Sequence, residues 1–434
     1  MTSKAATPQT NVVDVTDASQ VTDRKSLVWL NSKRQELSVY RLPIKYLYFN
    51  IENGRYADKM IDLKEKNPGV EIDPREEKWK DEIFKMLKGE VGDSGKDRDA
   101  FELLAKDILA REQLQPGVVL PDGGVLDGNR RFAVLKHLYA TQQNPGRFEY
   151  LDAVVLPENV GSKDRWRIEA GLQIGKDEKL DYSPINRLLK IKEGLGVFAD
   201  TDDPAQEIAN TLIGIQKAEV ERDIEKIGLI DQYLVFIGRA NAYNLLSGVV
   251  ERFEEALNAL ESAKREKLPP QQVAALKTKL FLVIRCETMD NWQMRDIRLA
   301  IGAPGKKARR YKNDKALAKF LELPAPIADL QKQVKTQSGL STIAQQEKDN
   351  SKKFLDAMDA TKSIDEPARL ANKAVTNLEQ LIATLEDASF TQHAGWEETV
   401  AGLLTSMDEV ITHADKCKSL GQSLKKKKPK STKS

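Results

Sequence analysis

Hydrophobic positions in roughly the first 160 residues follow the pattern of short β-strands. Residues 42–50 combine apolar and aromatic side chains and end just before the turn residues Asn53-Gly54, which predicts a strand. A dense apolar run at residues 151–156 predicts a further, buried strand. A helix is expected between them at residues 99–110. This part of the chain is therefore predicted to mix α and β structure.

A tight hairpin is predicted between residues 118–120 and 125–126. Both segments are apolar, and Pro121-Asp122-Gly123-Gly124 lies between them. Glycine, aspartate and proline tolerate the backbone angles of a short turn, and glycine also tolerates a positive φ. We expect the two segments to pair as neighbouring strands.

After about residue 160 the apolar positions recur with the period of helices. The predicted fold class is therefore an α+β N-terminal domain followed by an all-α C-terminal half. One seam near the C-terminus has the spacing of a heptad repeat, and the next helix has an apolar face of similar width. Two interpretations stay open, an intramolecular helical hairpin or a coiled coil that joins two copies as a homodimer. The two faces consist of Ala371, Val375, Leu378, Ile382 and Leu385, then Val400, Leu403, Leu404, Met407 and Ile411.

Composition and charge exclude some classes of protein. The 434 residues include 68 Lys and Arg against 66 Asp and Glu, so any contact with nucleic acid has to be local. Cys286 and Cys417 form no CxxC pair and the three histidines lack metal-ligand spacing, which argues against a disulfide framework or a zinc site. No segment approaches the roughly 18 apolar residues of a membrane span. A cytoplasmic location without membrane contact is expected.

The segment Asp127-Gly128-Asn129-Arg130-Arg131 joins a predicted strand to a predicted helix. Backbone N–H groups at a helix start and the positive end of the helix dipole favour an anion, and glycine allows close approach of the backbone. Two adjacent arginines add planar donors that suit phosphate oxygens. The alternative is an ordinary helix start capped by Asp127 or Asn129, with two solvated arginines.

Four segments in this order resemble the N-terminal domain of the ParB/sulfiredoxin superfamily. Leu42-Pro43-Ile44 through Asn53-Gly54-Arg55 is similar to its opening strand and Asn-Pro-Arg element, and Leu114-Gln115-Pro116-Gly117 to its Gln-Pro strand entry. Gly128 to Arg131 resembles its Gly-Glu-Arg-Arg turn. Leu172-Gln173 with residues 181–185 is similar to its third element. The resemblance covers roughly residues 40–240.

The resemblance implies a nucleotide-binding domain that holds a nucleoside triphosphate, CTP or ATP, with Mg²⁺. If this chain is an enzyme of the same fold, Asp127 or Glu169 is expected to assist a metal-bound phosphate. Sulfiredoxins have a cysteine where Asn129 stands, so peroxiredoxin repair is excluded. Free-serine kinases of this fold carry Asp-Gly-His-His-Arg, which shares Asp127, Gly128 and Arg131. The implied nucleotide contacts are Asn53, Arg55, Gln115, Gly128, Asn129, Arg130, Arg131 and Gln173.

Residues 204–229 resemble a helix-turn-helix, the element with which related partition proteins bind DNA. Its second helix carries four acidic and three basic residues, so we favour a packing role over contact with the major groove. A basic segment elsewhere in the chain is a better candidate for contact with DNA phosphates. The alternative is that this segment is simply a solvated part of the surface. It contains Lys306, Lys307, Arg309, Arg310 and Lys312.

The predicted organisation has six parts. They are a disordered arm at 1–24, the nucleotide-binding domain at 25–200, the helix-turn-helix-like segment at 201–240, a helical domain at 241–325, the hairpin or coiled coil at 326–420, and a disordered basic tail at 421–434. The leading functional hypothesis is a nucleotide-gated binding module that associates with DNA. The alternatives are an enzyme of the same fold and a structural adaptor with a vacant pocket.

Overall fold

The computed structural model describes residues 21–30, 33–91, 95–174, 183–212, 214–305, 308–363, 366–386 and 395–426. The chain divides into two compact units, residues 1–358 and residues 359–434.

One mixed sheet of six strands organises the N-terminal part of the first unit. Its strand order is β1-β2-β6-β4-β5-β3. The pairs β1–β2, β2–β6 and β4–β5 are antiparallel, whereas β4–β6 and β3–β5 are parallel. The strands are β1 (Val21–Leu30), β2 (Lys33–Pro43), β3 (Tyr48–Phe49), β4 (Gly117–Val119), β5 (Gly124–Asp127) and β6 (Tyr150–Val155).

The predicted hairpin and the predicted strand at residues 151–156 are confirmed. β4 and β5 form the hairpin, whose turn contains Gly123 at φ 91°. A positive φ is a conformation that glycine adopts without steric cost, which is why the residue types alone indicated this turn. The expected α+β organisation, with a helical C-terminal half, is also confirmed.

The N-terminal edge of the sheet differs from the prediction. Residues 21–24, expected in a disordered arm, belong to β1, and residues 1–20 lie outside the described residues. Alternate positions of β1 are exposed and many of its residues are polar, so the mean hydropathy of the strand is low. The strand nevertheless contains the buried Val28 and Leu30. The strand predicted at residues 42–50 is interrupted, because a short 3-10 helix, Ile44–Tyr46, separates β2 from β3.

Helices cover both faces of the sheet. Val118 and Val119 are consecutive in β4 and belong to different core clusters, one on each face. On the face of Val119 lie α1 (Ala57–Lys66), α2 (Glu77–Lys88), α3 (Gly95–Arg111) and α4 (Asn129–Thr141), which pack around Phe49 and Phe132. On the face of Val118 lies α5 (Ser162–Gln173), through Ile168 and Leu172.

Helices continue the first unit to its end. Their shared core crosses the predicted boundaries at 200, 240 and 325, because it contains Leu188, Ile230, Leu282 and Phe354 together. The segments predicted between 25 and 325 thus belong to one compact unit together with the start of the segment predicted at 326–420, because this unit ends at residue 358. The helices are α6 (Pro184–Val197), α7 (Pro204–Thr211), α8 (Lys217–Phe236), α9 (Val250–Arg265), α10 (Pro270–Cys286), α11 (Asn291–Ile301), α12 (Asp314–Phe320), α13 (Ile327–Gln333) and α14 (Gln337–Lys362).

The second unit contains α15 (Glu366–Glu386) and α16 (Trp396–Lys426). A disordered tail was expected at 421–434, but α16 continues to Lys426, because lysine is a good helix former. Residues 427–434 of the predicted tail lie outside the described residues. Val375 and Ile382 of the predicted seam are each 54 % exposed. Among the described residues of the chain, no helix has the length and hydropathy to span a bilayer.

Candidate functional site

The turn from β5 to α4 has the backbone that the residue types predict. Gly128 is the N-cap of α4 and has φ 99°. A Cβ atom at this position would lie 3.3 Å from the Cα of Gly117. A side chain here is therefore strained by its φ and crowded by the neighbouring strand. Glycine caps without a side chain, so the first N–H groups of α4, which have no acceptor within the helix, stay open to an anion.

Asn129 is buried and its side chain stabilises the turn. Its Oδ1 accepts the backbone N–H of Asn50 at 3.0 Å, and its Nδ2 donates to the Val125 carbonyl at 2.6 Å. The side chain is 4 % exposed. The expectation that Asn129 caps α4 or contacts phosphate is corrected for the side chain, which joins β5 to Asn50, the residue after β3. Its backbone N–H remains at the helix start.

Arg130 and Arg131 each meet a carboxylate next to the turn. Arg130 pairs with Asp97 at 3.2 Å, and Asp97 also accepts from Lys59 at 2.8 Å, so one carboxylate serves two cations. Arg131 pairs with Asp127 at 3.4 Å and donates to the Gln115 carbonyl. The Nε of Arg130 is buried and makes no hydrogen bond to any of the described residues.

Burial and mutual repulsion disfavour the charged forms of these arginines. Burial lowers the pKa of Arg130 to about 10, and the nearby guanidinium of Arg55 lowers it too. Burial also lowers the pKa of Arg131, with Arg55 acting in the same direction and Asp127 against it. The guanidinium of Arg55 is thus close enough to repel those of Arg130 and Arg131, which Asp97 and Asp127 attract. An anion bound beside these arginines would stabilise their charged forms.

The three arginines border one cleft of about 1100 Å³, which we call the arginine cleft. Of the residues predicted from the sequence as nucleotide contacts, all eight border it, and so does Asp127. They come from segments far apart in the chain that the fold brings together. The eight are Asn53, Arg55, Gln115, Gly128, Asn129, Arg130, Arg131 and Gln173.

Asn53 and Gln173 are buried and border the cleft. The Oδ1 of Asn53 accepts the backbone N–H of Arg55 at 3.0 Å, and its Nδ2 lies 3.5 Å from the Leu126 carbonyl. Asn53 therefore shapes the turn that carries Arg55. Gln173 is 3 % exposed, and among the described residues its Oε1 has no hydrogen-bond partner.

Glu169 does not border the cleft. Its Oε1 accepts the Gly54 N–H at 2.8 Å and its Oε2 accepts from the Lys190 ammonium at 2.9 Å. Burial raises the pKa of Glu169 to about 7, although Lys190 opposes the shift. Both carboxylate oxygens are used within the fold, so the expected role of Glu169 beside a metal-bound phosphate is corrected to a role in positioning the turn.

Asn186 supports the same turn from α6. Its Nδ2 donates to the Arg55 carbonyl at 2.9 Å, and its Oδ1 accepts the Asp58 N–H at 3.0 Å. The sequence reasoning missed Asn186, because a single asparagine inside an apolar helix carries no distinctive spacing. Its burial at 3 % exposure, with both amide atoms paired, is visible only in the fold.

Other residues of the cleft come from elements outside the four segments that resemble the ParB/sulfiredoxin superfamily. Trp29 and Arg34 come from the β1–β2 hairpin. Arg167 of α5 pairs with Glu207 of α7 at 2.7 Å, and both border the cleft. The first helix of the helix-turn-helix-like segment is therefore a wall of the cleft. A pairing between residues 40 positions apart leaves no local signal in the sequence.

The described residues offer little for a metal. They contain no group of three or more His, Cys, Asp or Glu side chains that could hold an ion. In the cleft, Asp127 and Glu207 each pair with an arginine. A magnesium ion here would take most of its ligands from the phosphates of a nucleotide and from water, as Mg²⁺ commonly does.

The helix-turn-helix-like segment contains the predicted helices, which are α7 and α8. Ion pairs join the second helix to neighbouring elements of the protein. Arg222 pairs with Glu254 at 2.9 Å, Lys226 pairs with Glu254 at 2.7 Å, and Lys217 pairs with Asp203 at 2.6 Å. Val220 is fully buried. These contacts favour the packing interpretation over contact with DNA.

The basic segment is only partly described. Lys306 and Lys307 lie outside the described residues. Arg309 and Arg310 are exposed in a short 3-10 helix, Ala308–Tyr311, while Lys312 pairs with Glu266 at 3.3 Å. Arg309 and Arg310 are therefore exposed to solvent, and Glu266 partly neutralises Lys312.

Comparison with known proteins adds no assignment. No family model, no curated protein and no solved structure matches this chain.

Proposed function

We propose that the N-terminal part of the first unit is a ParB/sulfiredoxin-type domain that binds a nucleoside triphosphate, CTP or ATP, in the arginine cleft. The observation that carries this proposal is the convergence of Arg55, Arg130 and Arg131 on one cleft, where burial and mutual repulsion lower the pKa of the last two. Phosphate oxygens accept charge-assisted hydrogen bonds from guanidinium groups and relieve this repulsion. A polyphosphate is therefore the ligand whose charge best matches the cleft.

The local backbone supports the same assignment. Gly128 places the open end of α4 at the cleft, and the neighbouring N–H groups add donors to those of the arginines. Gln115 and Gln173, which belong to two other family-like segments, border the same cleft. Four segments that resemble the family in sequence order thus meet at one place, which a chance resemblance would not require.

Coupling to DNA binding is the wider form of the proposal. α7 forms one wall of the cleft through Glu207 and packs against α8. A ligand that displaces the Arg167–Glu207 ion pair therefore changes a contact of α7, which is how a nucleotide acts as a gate. DNA phosphates would contact the exposed Arg309 and Arg310 and the lysine-rich C-terminus.

An enzyme of the same fold is the second candidate. Asp127 borders the cleft beside Arg131, where a carboxylate can orient a nucleophile or a metal-bound phosphate. Glu169 supplies no second acid there, because its carboxylate pairs with Lys190. A nucleotide hydrolase, a nuclease and a small-molecule phosphotransferase all convert their substrates into products. A ligand-binding switch releases its ligand unchanged.

The test is equilibrium calorimetry of the full chain with the four ribonucleoside triphosphates, their diphosphates and inorganic tripolyphosphate, with and without Mg²⁺. We expect triphosphates to bind, and the double variant R130A/R131A to lose most of the affinity. Arg239→Ala is the matched control, since Arg239 is an exposed arginine outside the cleft and its removal leaves affinity unchanged. Chromatography of the incubated ligand separates a hydrolase or kinase from a binding module. Absence of binding to every phosphate compound contradicts the proposal.

A further inference from the structure

Two large apolar side chains on the β1–β2 hairpin are exposed at the border of the arginine cleft. Leu27 is 62 % and Trp29 is 47 % exposed, although Val28 and Leu30 beside them are buried. Residues two positions apart in a strand lie on one face, so Leu27 and Trp29 form one apolar surface. Exposed apolar surface in a concave site is typical of a ligand-binding wall.

A cation lies next to this apolar surface. Arg34 is the cross-strand partner of Trp29 in the β1–β2 register, and directly opposed residues project from the same face of a sheet. Arg34 is exposed and borders the cleft as well. We call Leu27, Trp29 and Arg34 the hairpin surface.

The arginine cleft therefore has two chemically different walls. One is cationic and carries Arg55, Arg130 and Arg131; the other is the hairpin surface. Ile168 and Leu172 of α5, which pack with Val28, border the cleft from the opposite face of the sheet. Inorganic phosphate matches only the first wall. A nucleotide matches both, because it joins a polyanion to a flat aromatic ring.

We infer that the hairpin surface is the nucleobase subsite, in which Trp29 stacks on the base while the phosphates of the same molecule meet the three arginines. This inference rests on the proposed function and deepens it, because it names the residues that would hold the base of the nucleotide. Stacking on an aromatic side chain tolerates any base, so Trp29 supplies affinity for a base without selecting one. The guanidinium of Arg34 supplies hydrogen-bond donors at the edge of the ring.

Calorimetry of the full chain with ATP, CTP and inorganic tripolyphosphate tests the inference. Trp29→Ala should weaken binding of both nucleotides by roughly tenfold, because the base can no longer stack, and leave tripolyphosphate affinity unchanged. Trp29→Phe keeps an aromatic face and should restore most of the nucleotide affinity. Trp292→Ala is the matched control, since Trp292 is 73 % exposed and outside the cleft. Thermal melts of each variant report folding.

The outcomes separate the subsite from the phosphate site. If the parent binds nucleotides and tripolyphosphate equally, or if Trp29→Ala leaves nucleotide affinity unchanged, the inference is overturned while the proposed function stands. An equal loss for all three ligands in a folded Trp29→Ala variant also overturns it, because Trp29 then supports the phosphate site. If the parent binds none of the three, the proposed function fails and the inference fails with it.

Discussion

Glu169 and Lys190 form an ion pair of 2.9 Å whose side chains are 4 % and 1 % exposed. The second carboxylate oxygen of Glu169 accepts the N–H of Gly54, the residue before Arg55. The ion pair therefore lies behind the arginine cleft and holds one of its cationic elements from inside the protein. Such a pair affects ligand binding through the position of Arg55 and affects stability through its burial.

Replacing Glu169 with Gln should change how stability depends on pH. Burial raises the pKa of Glu169 from its ordinary value of 4.5 to about 7, so the folded protein binds this proton more tightly than the unfolded chain does. The stabilisation by the bound proton is complete below pH 4.5 and is lost as the pH rises through 7. Urea unfolding should therefore show the parent losing stability relative to E169Q between pH 5 and pH 7.5.

Glu193→Gln is the control for that experiment, since Glu193 contacts the same ammonium but is 40 % exposed. Its effect on the pH dependence should be smaller than that of E169Q. A parent that gains stability relative to E169Q over this pH range would contradict the prediction, because it would mean that Lys190 keeps Glu169 ionised in the fold.

Removing the cation should be more damaging than removing the acid. Lys190→Met leaves Glu169 buried without its counter-charge, and breaking a buried pair in this way costs about 3–5 kcal/mol. Lys192→Met is the matched control two residues away, because Lys192 pairs with Asp231 at 42 % exposure, where an ion pair contributes about 0–1 kcal/mol. Free energies of unfolding in urea at pH 7.5 measure both; similar losses in the two variants would contradict the buried role of Lys190.

Local signals in the sequence predicted the geometry of the turn from β5 to α4, and non-local contacts explain what was missed. Gly128, Arg130 and Arg131 are adjacent, so their residue types alone indicated an anion site at a helix start. Trp29 and Arg34 were missed because β1 has a polar run followed by an apolar run, without the alternation that indicates a strand, so the β1–β2 hairpin was not recognised. The burial of Glu169 depends on Lys190 and Gly54, which pair with it only in the folded chain.

The same distinction applies to Asn129. Its position beside two arginines suggested a ligand contact, yet its amide joins Asn50 to Val125. Side-chain direction at a helix start is set by the packing beneath it, and one sequence does not reveal that direction. Backbone geometry was easier to predict, because few residue types other than glycine adopt the φ of 99° found at Gly128.

Arg131→Ala should weaken triphosphate binding roughly ten- to a hundred-fold, because a charge-assisted hydrogen bond is worth about 1.5–3 kcal/mol. Arg131→Lys should restore only part of the loss, since an ammonium keeps the charge without the two-pronged geometry. Gly128→Val should be worse than either, because a β-branched residue resists a positive φ and would approach Gly117. Calorimetry with thermal melts measures these effects, and parent-like binding by all three folded variants would reduce the turn to a helix start.

DNA binding should be weakly sequence selective and should fall steeply with salt. The last ten residues contain six lysines, Lys425 to Lys428, Lys430 and Lys433. Deleting residues 421–434 should lower the slope of log affinity against log salt by up to about five, at roughly 0.9 for each DNA phosphate that the tail no longer neutralises. Replacing the six lysines with Gln at unchanged length is the control and should reproduce the deletion. Tight, salt-insensitive binding to one short DNA sequence would contradict this prediction.

The seam of α15 should join two copies of the chain. Val375 and Ile382 are each 54 % exposed, and burying such a side chain stabilises an interface by about 1.5–3 kcal/mol. V375K/I382K should therefore raise the dissociation constant of a homodimer at least tenfold for each residue, measured by sedimentation equilibrium of the full chain. T376K/T384K adds the same charges to exposed threonines off the seam and should leave the dimer intact. A parent that is monomeric at all concentrations would instead favour the intramolecular hairpin, in which the lysine substitutions lower helical stability without changing the mass.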